Sequence, residues 1–311
     1  MATESIDSGG RVGFLKTPDG LRLRHGFWPA RRPRNATLLI LGGRTEFLEK
    51  YREVIGELTG RGYDVFGFDW RGQGLSERLL PDSNKCFIRS FDQYAADLDQ
   101  VLHRLVYPRS TGPVLILAHS MGAHIALKYL DGGRRGISAA VLTAPMVDIR
   151  TQPLPPAWAR LLSRCMVRLG RGTMSVPGAR RHNPFLTPFR RNRLTSDAVR
   201  FRQTQQCIAH TPELACAEVT FGWLAATFAS IAEIESPSFG TRIEVPILMV
   251  LSGRDRVVSN AAARRLALRL PRIKTSIIRG AQHEILQERD DLRREFWARF
   301  DGFTAALSDA C

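Results

Sequence analysis

Lysine is scarce in this chain. It occurs only at Lys16, Lys50, Lys85, Lys128 and Lys274, in a sequence of 311 residues with 45 basic side chains and a formal net charge of +15. The positive charge is therefore almost wholly arginine. A basic surface draws anionic headgroups, nucleic acid or acidic substrates, but a skew this strong reads first as a compositional preference. No nucleic-acid-binding signature accompanies it, so no nucleic-acid partner is expected. Cysteine is equally sparse: Cys86, Cys165, Cys207, Cys216 and Cys311. The number is odd and no pair has C-x-x-C spacing. A disulfide framework and a zinc site are both disfavoured, and idle thiols in a reducing compartment are expected. No apolar run approaches the roughly 20 residues of a membrane span, and Met1 to Gly10 carries no basic-then-apolar leader pattern. These absences predict a cytoplasmic protein whose membrane contact, if any, is peripheral at an anionic inner face. They leave the oligomeric state open.

What is present is an alternation. Val12–Leu15 and Leu21–Trp28 flank the turn sequence Thr17-Pro18-Asp19-Gly20 and read as a hairpin. Short apolar runs follow at Ala36–Leu41, Tyr63–Phe68, Val114–Ala118, Ala139–Leu142, Val245–Leu251 and Thr275–Ile278. Helical patterns separate most of them. Phe91, Tyr94, Ala95, Leu98, Leu102 and Leu105 share one helical face, Met121–Leu130 ends at Gly132-Gly133, and Ala261–Leu270 and Leu292–Leu307 complete the set. Such a pattern predicts an α/β fold: a mostly parallel sheet covered on both faces, with the working site beyond the carboxyl ends of the strands. Residues 147–242, rich in Pro, Arg and Trp, break the alternation. They are expected to form a helical cap inserted into a core made of residues 1–146 and 243–311, with helical pieces at Pro156–Leu169, Ser196–Ala209 and Pro212–Ile234.

Ala118-His119-Ser120-Met121-Gly122 sits where a strand feeds a helix. Small residues two before and two after a serine allow a nucleophile elbow, a tight turn that raises the hydroxyl above the sheet. A serine hydroxyl needs a base, and the base needs an orienting acid. Asp255 follows the fifth run and His283 the sixth, in the chain order Ser, acid, His. Asp148 is the rival acid. His119 is expected to shape the elbow and His124 to pack, while His25, His103, His182 and His210 have no partner pattern. Asp69, in Asp69-Trp70-Arg71-Gly72-Gln73-Gly74-Leu75-Ser76, is expected to tie its own turn. An oxyanion needs preorganised donors. The Met121 N–H, at a helix start, is one candidate. The other lies in Gly42-Gly43-Arg44-Thr45-Glu46, with the Arg44 N–H ahead of the Gly43 N–H. A bond between the Arg44 and Glu46 side chains is expected to brace that loop.

These residues resemble the monoacylglycerol lipase and lysophospholipase branch of the α/β-hydrolases, most closely the bacterial lysophospholipase L2 group. The resemblance rests on Gly43-Arg44-Thr45-Glu46-Phe47 with Glu49-Lys50-Tyr51, the Asp69–Ser76 turn and the elbow. It continues through Leu194-Thr195-Ser196-Asp197, Phe221-Gly222-Trp223, Gly253-Arg254-Asp255 and the His283 loop. Ala118 departs from the usual elbow glycine. The resemblance implies the α/β-hydrolase fold, a Ser120–Asp255–His283 triad and a cap that forms an acyl tunnel. It also implies hydrolysis of a lysophospholipid or monoacylglycerol ester without metal or cofactor. Trp158, Phe221, Trp223 and Phe228, with Leu161, Leu162 and Leu224, are the expected acyl-site residues. Arg180, Arg181, Arg190, Arg191 and Arg193 are the expected headgroup contacts. A proline-type aminopeptidase on the same fold, a cofactor-free haloperoxidase or perhydrolase side reaction, and a non-catalytic ligand binder are the alternatives.

Overall fold

The computed structural model describes residues 9–151, 153–179 and 187–308. The chain opens with the hairpin β1 (Arg11–Lys16) and β2 (Arg22–Trp28). Its turn closes through a Gly20 N–H bond to the Thr17 carbonyl at 2.9 Å. Gly20 takes φ 91°, a conformation glycine adopts without strain. Then come β3 (Ala36–Leu41), α1 (Arg52–Gly60), β4 (Tyr63–Phe68), the short β5 (Lys85–Cys86) and α2 (Phe91–Val101). Next are β6 (Val114–His119), α3 (Met121–Asp131) and β7 (Ala139–Thr143). Among the described residues three α-helices follow before the sheet resumes: α4 (Pro156–Arg168), α5 (Ala198–His210) and α6 (Phe221–Glu235), with β8 (Glu218–Val219) before the last. The chain closes with β9 (Ile247–Ser252), α7 (Asn260–Arg269), β10 (Ile273–Ile278) and α8 (Asp290–Ser308).

Eight strands form one sheet in the order β1-β2-β4-β3-β6-β7-β9-β10. β1–β2 and β2–β4 pair antiparallel, and every later pairing is parallel. All residues of β6, β7 and β9 are buried, as central strands covered on both faces require. One face packs Leu39, Ile116, Leu142 and Met249 under α2, α3 and α7. The other packs Leu38, Leu117, Val141 and Val250 under α1 and α8, where Phe296, Trp297 and Phe300 meet edge-on or tilted. At about 1.5–3 kcal/mol for each large side chain fully buried, these two layers hold the sheet. The α/β fold is the one the alternation predicts.

Three elements are not evident in the sequence pattern. α1 follows a 3-10 turn at Leu48–Tyr51 and carries Val54, Ile55 and Leu58 into the core. β5 and β8 form a two-stranded parallel ladder that joins the core to the segment after α5. Pro212–Ile234 is accordingly not one helix: β8 interrupts it and Thr220 caps α6.

Candidate active site

The elbow is built by two backbone constraints. Ser120 lies between β6 and α3 with φ 50° and ψ −110°, outside the regions ordinary residues favour. Main-chain bonds hold it there: its N–H donates to Thr143 (3.0 Å), and its carbonyl accepts from His124 and Met146 (3.1 Å each). The start of α3 also presses on the end of β3. A Cβ at Gly122 would stand 2.4 Å from the Leu41 carbonyl oxygen, so only glycine fits. Ala118 is wholly buried at the end of the strand, and the turn forms around its methyl group.

The structure brings Ser120, His283 and Asp255 together. His283 Nε2 lies 2.9 Å from Ser120 Oγ, and His283 Nδ1 lies 2.8 Å from Asp255 Oδ2. All three side chains are buried. The second Asp255 oxygen accepts from the N–H groups of Val257 (2.8 Å) and Val258 (3.0 Å). Burial alone would raise this carboxyl. The His283 imidazole and the two N–H groups outweigh it and hold Asp255 below the ordinary carboxylate range. Asp148 accepts the Ile149 N–H at 2.8 Å instead.

The loop after β3 differs from expectation. The Arg44 and Glu46 side chains do not pair. Glu46 accepts from the Gly43 N–H and from Tyr51 (2.5 Å) and binds Lys50 (2.8 Å). The Arg44 guanidinium reaches outward to the Ala217 carbonyl (3.3 Å) and Cys86 Sγ (3.6 Å), and lies 5.3 Å from the Trp223 ring centre. Lys50 is the residue that spacing did not flag. It is buried between Glu46 and Glu284 (2.6 Å). Burial would strip the Lys50 proton, but the two carboxylates keep its affinity for that proton above normal. Glu46 is held well below the carboxylate range by the Lys50 charge, against its burial, while burial raises Glu284. Because Glu284 adjoins His283, this cluster fixes the loop that carries the imidazole. Lys50→Met leaves two buried carboxylates facing each other. A stability loss of about 3–5 kcal/mol is expected in chemical denaturation. A kcat loss of about 10²-fold is expected to accompany it as the imidazole shifts. An unchanged melting curve would show that the cluster is not a brace.

The same loop is tied from the other side. Glu284 N–H donates to the Leu194 carbonyl (2.7 Å), and Thr195 Oγ1 to the Gln287 carbonyl (2.6 Å). Glu288 accepts from the Gln282 N–H (2.7 Å) and from Ser196. Asp197 caps α5 through the N–H groups of Val199 and Arg200. The Leu-Thr-Ser-Asp segment therefore joins the inserted helices to the His283 loop.

Gly43 has its N–H committed to Glu46, and the Thr45 N–H donates to Gln73 Oε1 at 2.6 Å. Met121 opens α3, so its N–H has no intrahelical partner. A Cβ at Gly43 would meet His119 Cδ2 at 3.1 Å and Ser120 Cβ at 3.3 Å, so glycine lets this loop close on the elbow. Asp69 ties its turn through the N–H groups of Leu48 and Leu75 (2.9 Å each).

The expected acyl-site residues part company. Phe228 is fully buried with Ala159, Leu224 and Ile231 between α4 and α6, so it is core. Phe221 and Trp223, in the first turn of α6, are both buried, Trp223 under Arg44. Trp158, Leu161 and Leu162 face outward, Trp158 at 63% exposure. A cleft of about 790 Å³, lined by Glu49, Arg52, Asp197, Arg200 and Gln287, flanks the site. A smaller pocket beside it reaches Thr45 and Glu284, the neighbours of Arg44 and His283. Among the expected headgroup arginines, Arg180 and Arg181 lie outside the described residues, as does His182. Among the described residues no cluster of ligand side chains could hold a metal ion.

His119 and His124 both pack, and both bear on acid stability. The His119 ring centre lies 4.8 Å from that of His283, and its Nδ1 lies 3.1 Å from Thr143 Oγ1. His124 bonds the Met146 carbonyl and Ser230, each at 2.7 Å. Burial lowers both to about 4. Between pH 6.5 and 4 the unfolded chain then binds protons that the folded one refuses, so stability falls as pH falls through that window. Each histidine is expected to cost on the order of 2–3 kcal/mol across it. Melting temperature followed against pH checks this: His124→Gln should flatten the slope, and an equal slope would assign the acid loss elsewhere.

Over residues 32–290 the chain matches the family described as Serine aminopeptidase, S33. It is 30% identical to the probable lysophospholipase L2 of Haemophilus influenzae, over 88% of this chain and 85% of that one. It is 31% identical to the lysophospholipase L2 of Escherichia coli K12, over 82% and 76%. A soluble variant of the monoglyceride lipase of Saccharomyces cerevisiae superposes with a TM-score of 0.76 at 16% identity, covering 99% of both chains. The monoacylglycerol lipase of Paleococcus ferrophilus superposes at 0.71 and 18% identity, over 92% and 99%. At those identities the structural likeness is one of fold.

Proposed function

The chain belongs to the serine aminopeptidase S33 family, on its lysophospholipase L2 side, and from that premise we propose that it hydrolyses carboxylic esters of lipids through an acyl intermediate on Ser120. The observation that carries this reading is the unbroken relay from Asp255 to His283 to Ser120. His283 Nε2 takes the hydroxyl proton as Oγ attacks the ester carbonyl, and gives it to the departing alcohol. Water then repeats the sequence and frees the fatty acid. Asp255 keeps the Nδ1 proton in place, so Nε2 presents its lone pair. The Met121 and Arg44 N–H groups receive the oxyanion, where donors fixed in advance stabilise charge best. Residues 147–242 act as a cap over this centre, with Phe221 and Trp223 as its apolar wall.

The substrate class is a lysophospholipid or a monoacylglycerol. The peptidase reading comes from the family description and requires an acidic site for the substrate amine. The carboxylates in the flanking cleft are already paired: Glu53, Asp197 and Asp290 all bind Arg200. A panel of monoacylglycerols, lysophospholipids, short p-nitrophenyl esters and aminoacyl amides decides the matter. Turnover of the amides above the esters would replace this proposal with the peptidase.

A peripheral membrane contact fits α4. Trp158, Leu161, Leu162 and Leu169 are exposed on and just beyond this helix, among Arg164, Arg168 and Arg171. An apolar face rimmed by arginine lies at a lipid interface rather than crossing it, and no helix among the described residues is long and apolar enough to span a membrane. Binding to phosphatidylglycerol vesicles is expected to exceed binding to phosphatidylcholine vesicles and to fall as salt shortens the Debye length. A doubly substituted Trp158→Ser, Leu161→Ser protein should lose most of it. Salt-independent binding would remove the arginines from the account.

A further inference from the structure

Two of the cysteines that sequence spacing set aside as idle are neighbours. Cys86 ends β5 in the core, and Cys216 precedes β8 within the inserted segment, between α5 and α6. Their sulfur atoms lie 2.6 Å apart, and Cys86 Sγ also lies 2.9 Å from the Cys216 carbonyl oxygen. Both residues are free thiols and both are buried. A shift of about half an ångström brings the sulfurs to the roughly 2.05 Å of an S–S bond. Fixed surroundings hold them in register: β5 pairs with β8, and Thr220 Oγ1 donates to the Cys86 carbonyl at 2.7 Å.

The pair is also chemically biased. The Arg44 guanidinium stands 3.6 Å from Cys86 Sγ. Burial works against a thiolate, but the Cys216 thiol and this cation outweigh it and lower the Cys86 thiol, while burial and Cys86 raise Cys216. One sulfur is thus the nucleophile and the other the resolving thiol, an asymmetry that redox cysteine pairs need.

We propose that Cys86 and Cys216 form a peroxide-driven disulfide that fastens the inserted helices to the core beside the oxyanion loop. Hydrogen peroxide is the oxidant. The Cys86 sulfur attacks one peroxide oxygen, an S–O bond forms, the O–O bond breaks, and the departing hydroxide leaves as water with the thiol proton. Cys216 Sγ then attacks the sulfenic sulfur, the S–S bond forms, the S–O bond breaks, and a second water leaves with the Cys216 proton. Two thiols are oxidised and one peroxide is reduced to two waters. The two cysteines stand 130 positions apart in the chain, a loop long enough for the cross-link to restrict the unfolded state strongly.

The test uses the full chain carrying Cys165→Ser, Cys207→Ser and Cys311→Ser, so that only the pair remains. After peroxide treatment, intact mass should fall by two hydrogens and digestion should give a linked Cys86–Cys216 peptide. The melting temperature should rise by about 5 °C or more. Dithiothreitol should reverse all three changes. Cys86→Ser and Cys216→Ser should each abolish the linked peptide. These readouts do not involve ester hydrolysis, so they stand whether or not the lipase reading holds. Peroxide carrying Cys86 on to the sulfinic acid with no linked peptide would overturn the proposal. So would Cys86 and Cys216 thiols that stay reduced in the unsubstituted parent chain at peroxide levels that oxidise its exposed Cys165, an outcome that needs no variant to fold.

Discussion

Ser120→Ala is expected to lower ester hydrolysis by about 10⁴- to 10⁶-fold while leaving the fold intact. The loss is large because no other group in the site can form the acyl bond. His283 then has no hydroxyl to deprotonate, and what remains is the rate that bound donors give to attack by water. The fold survives because the bonds that fix this position come from its main chain, to Thr143, His124 and Met146. Alanine keeps the Cβ that the tight φ already accommodates. Leaving His283 Nε2 without its partner costs on the order of 1 kcal/mol. Initial rates on a lysophospholipid, fluorophosphonate labelling and a melting curve test all of this together. A variant within about tenfold of the parent rate, a barrier change near 1.4 kcal/mol, would place the nucleophile elsewhere.

Asp255→Asn is expected to cost about 10³- to 10⁴-fold in kcat/KM with little change in stability. The geometry says why. The asparagine oxygen inherits the N–H groups of Val257 and Val258, as Asp255 Oδ1 holds them at 2.8 and 3.0 Å. Its NH₂ group then faces His283 Nδ1. The imidazole must answer with a lone pair at Nδ1, which moves its proton to Nε2, toward Ser120. A ring in that tautomer cannot accept the hydroxyl proton. Asp148→Asn, one loop away, serves as the control and should leave the rate near the parent value. Equal losses in both variants would mean the acid has been misassigned.

Much of this could be read before any coordinates. Strand-length apolar runs gave β3 and β4 at their observed bounds, because buried parallel strands tolerate few polar residues. The order Ser, Asp, His followed from what comes after each run. The misses have physical causes. α1 was overlooked because its short, mixed sequence lacks a repeated apolar stripe, and tertiary packing supplies what periodicity does not show. The Arg44–Glu46 pairing was inferred from proximity in sequence. In the fold, Tyr51 and Lys50 reach Glu46 first, because the turn after β3 brings them underneath it. Phe228 looked like a pocket residue by type alone, and composition cannot say which side of a helix faces another helix. The sulfur pair was invisible because 130 residues separate its members.

Arg44 holds two allegiances. Its peptide nitrogen is the one proposed to meet the oxyanion, and its guanidinium is fastened to Ala217 and laid against Trp223, both from the inserted segment. A minimal esterase cut down to the sheet and its flanking helices would keep its three relay residues. It would lose the anchor that aims this nitrogen, and with it much of its catalytic power. On the oxyanion role proposed for Arg44, any displacement of the insertion would pull on that peptide too, so the aim of this nitrogen depends on where the insertion sits.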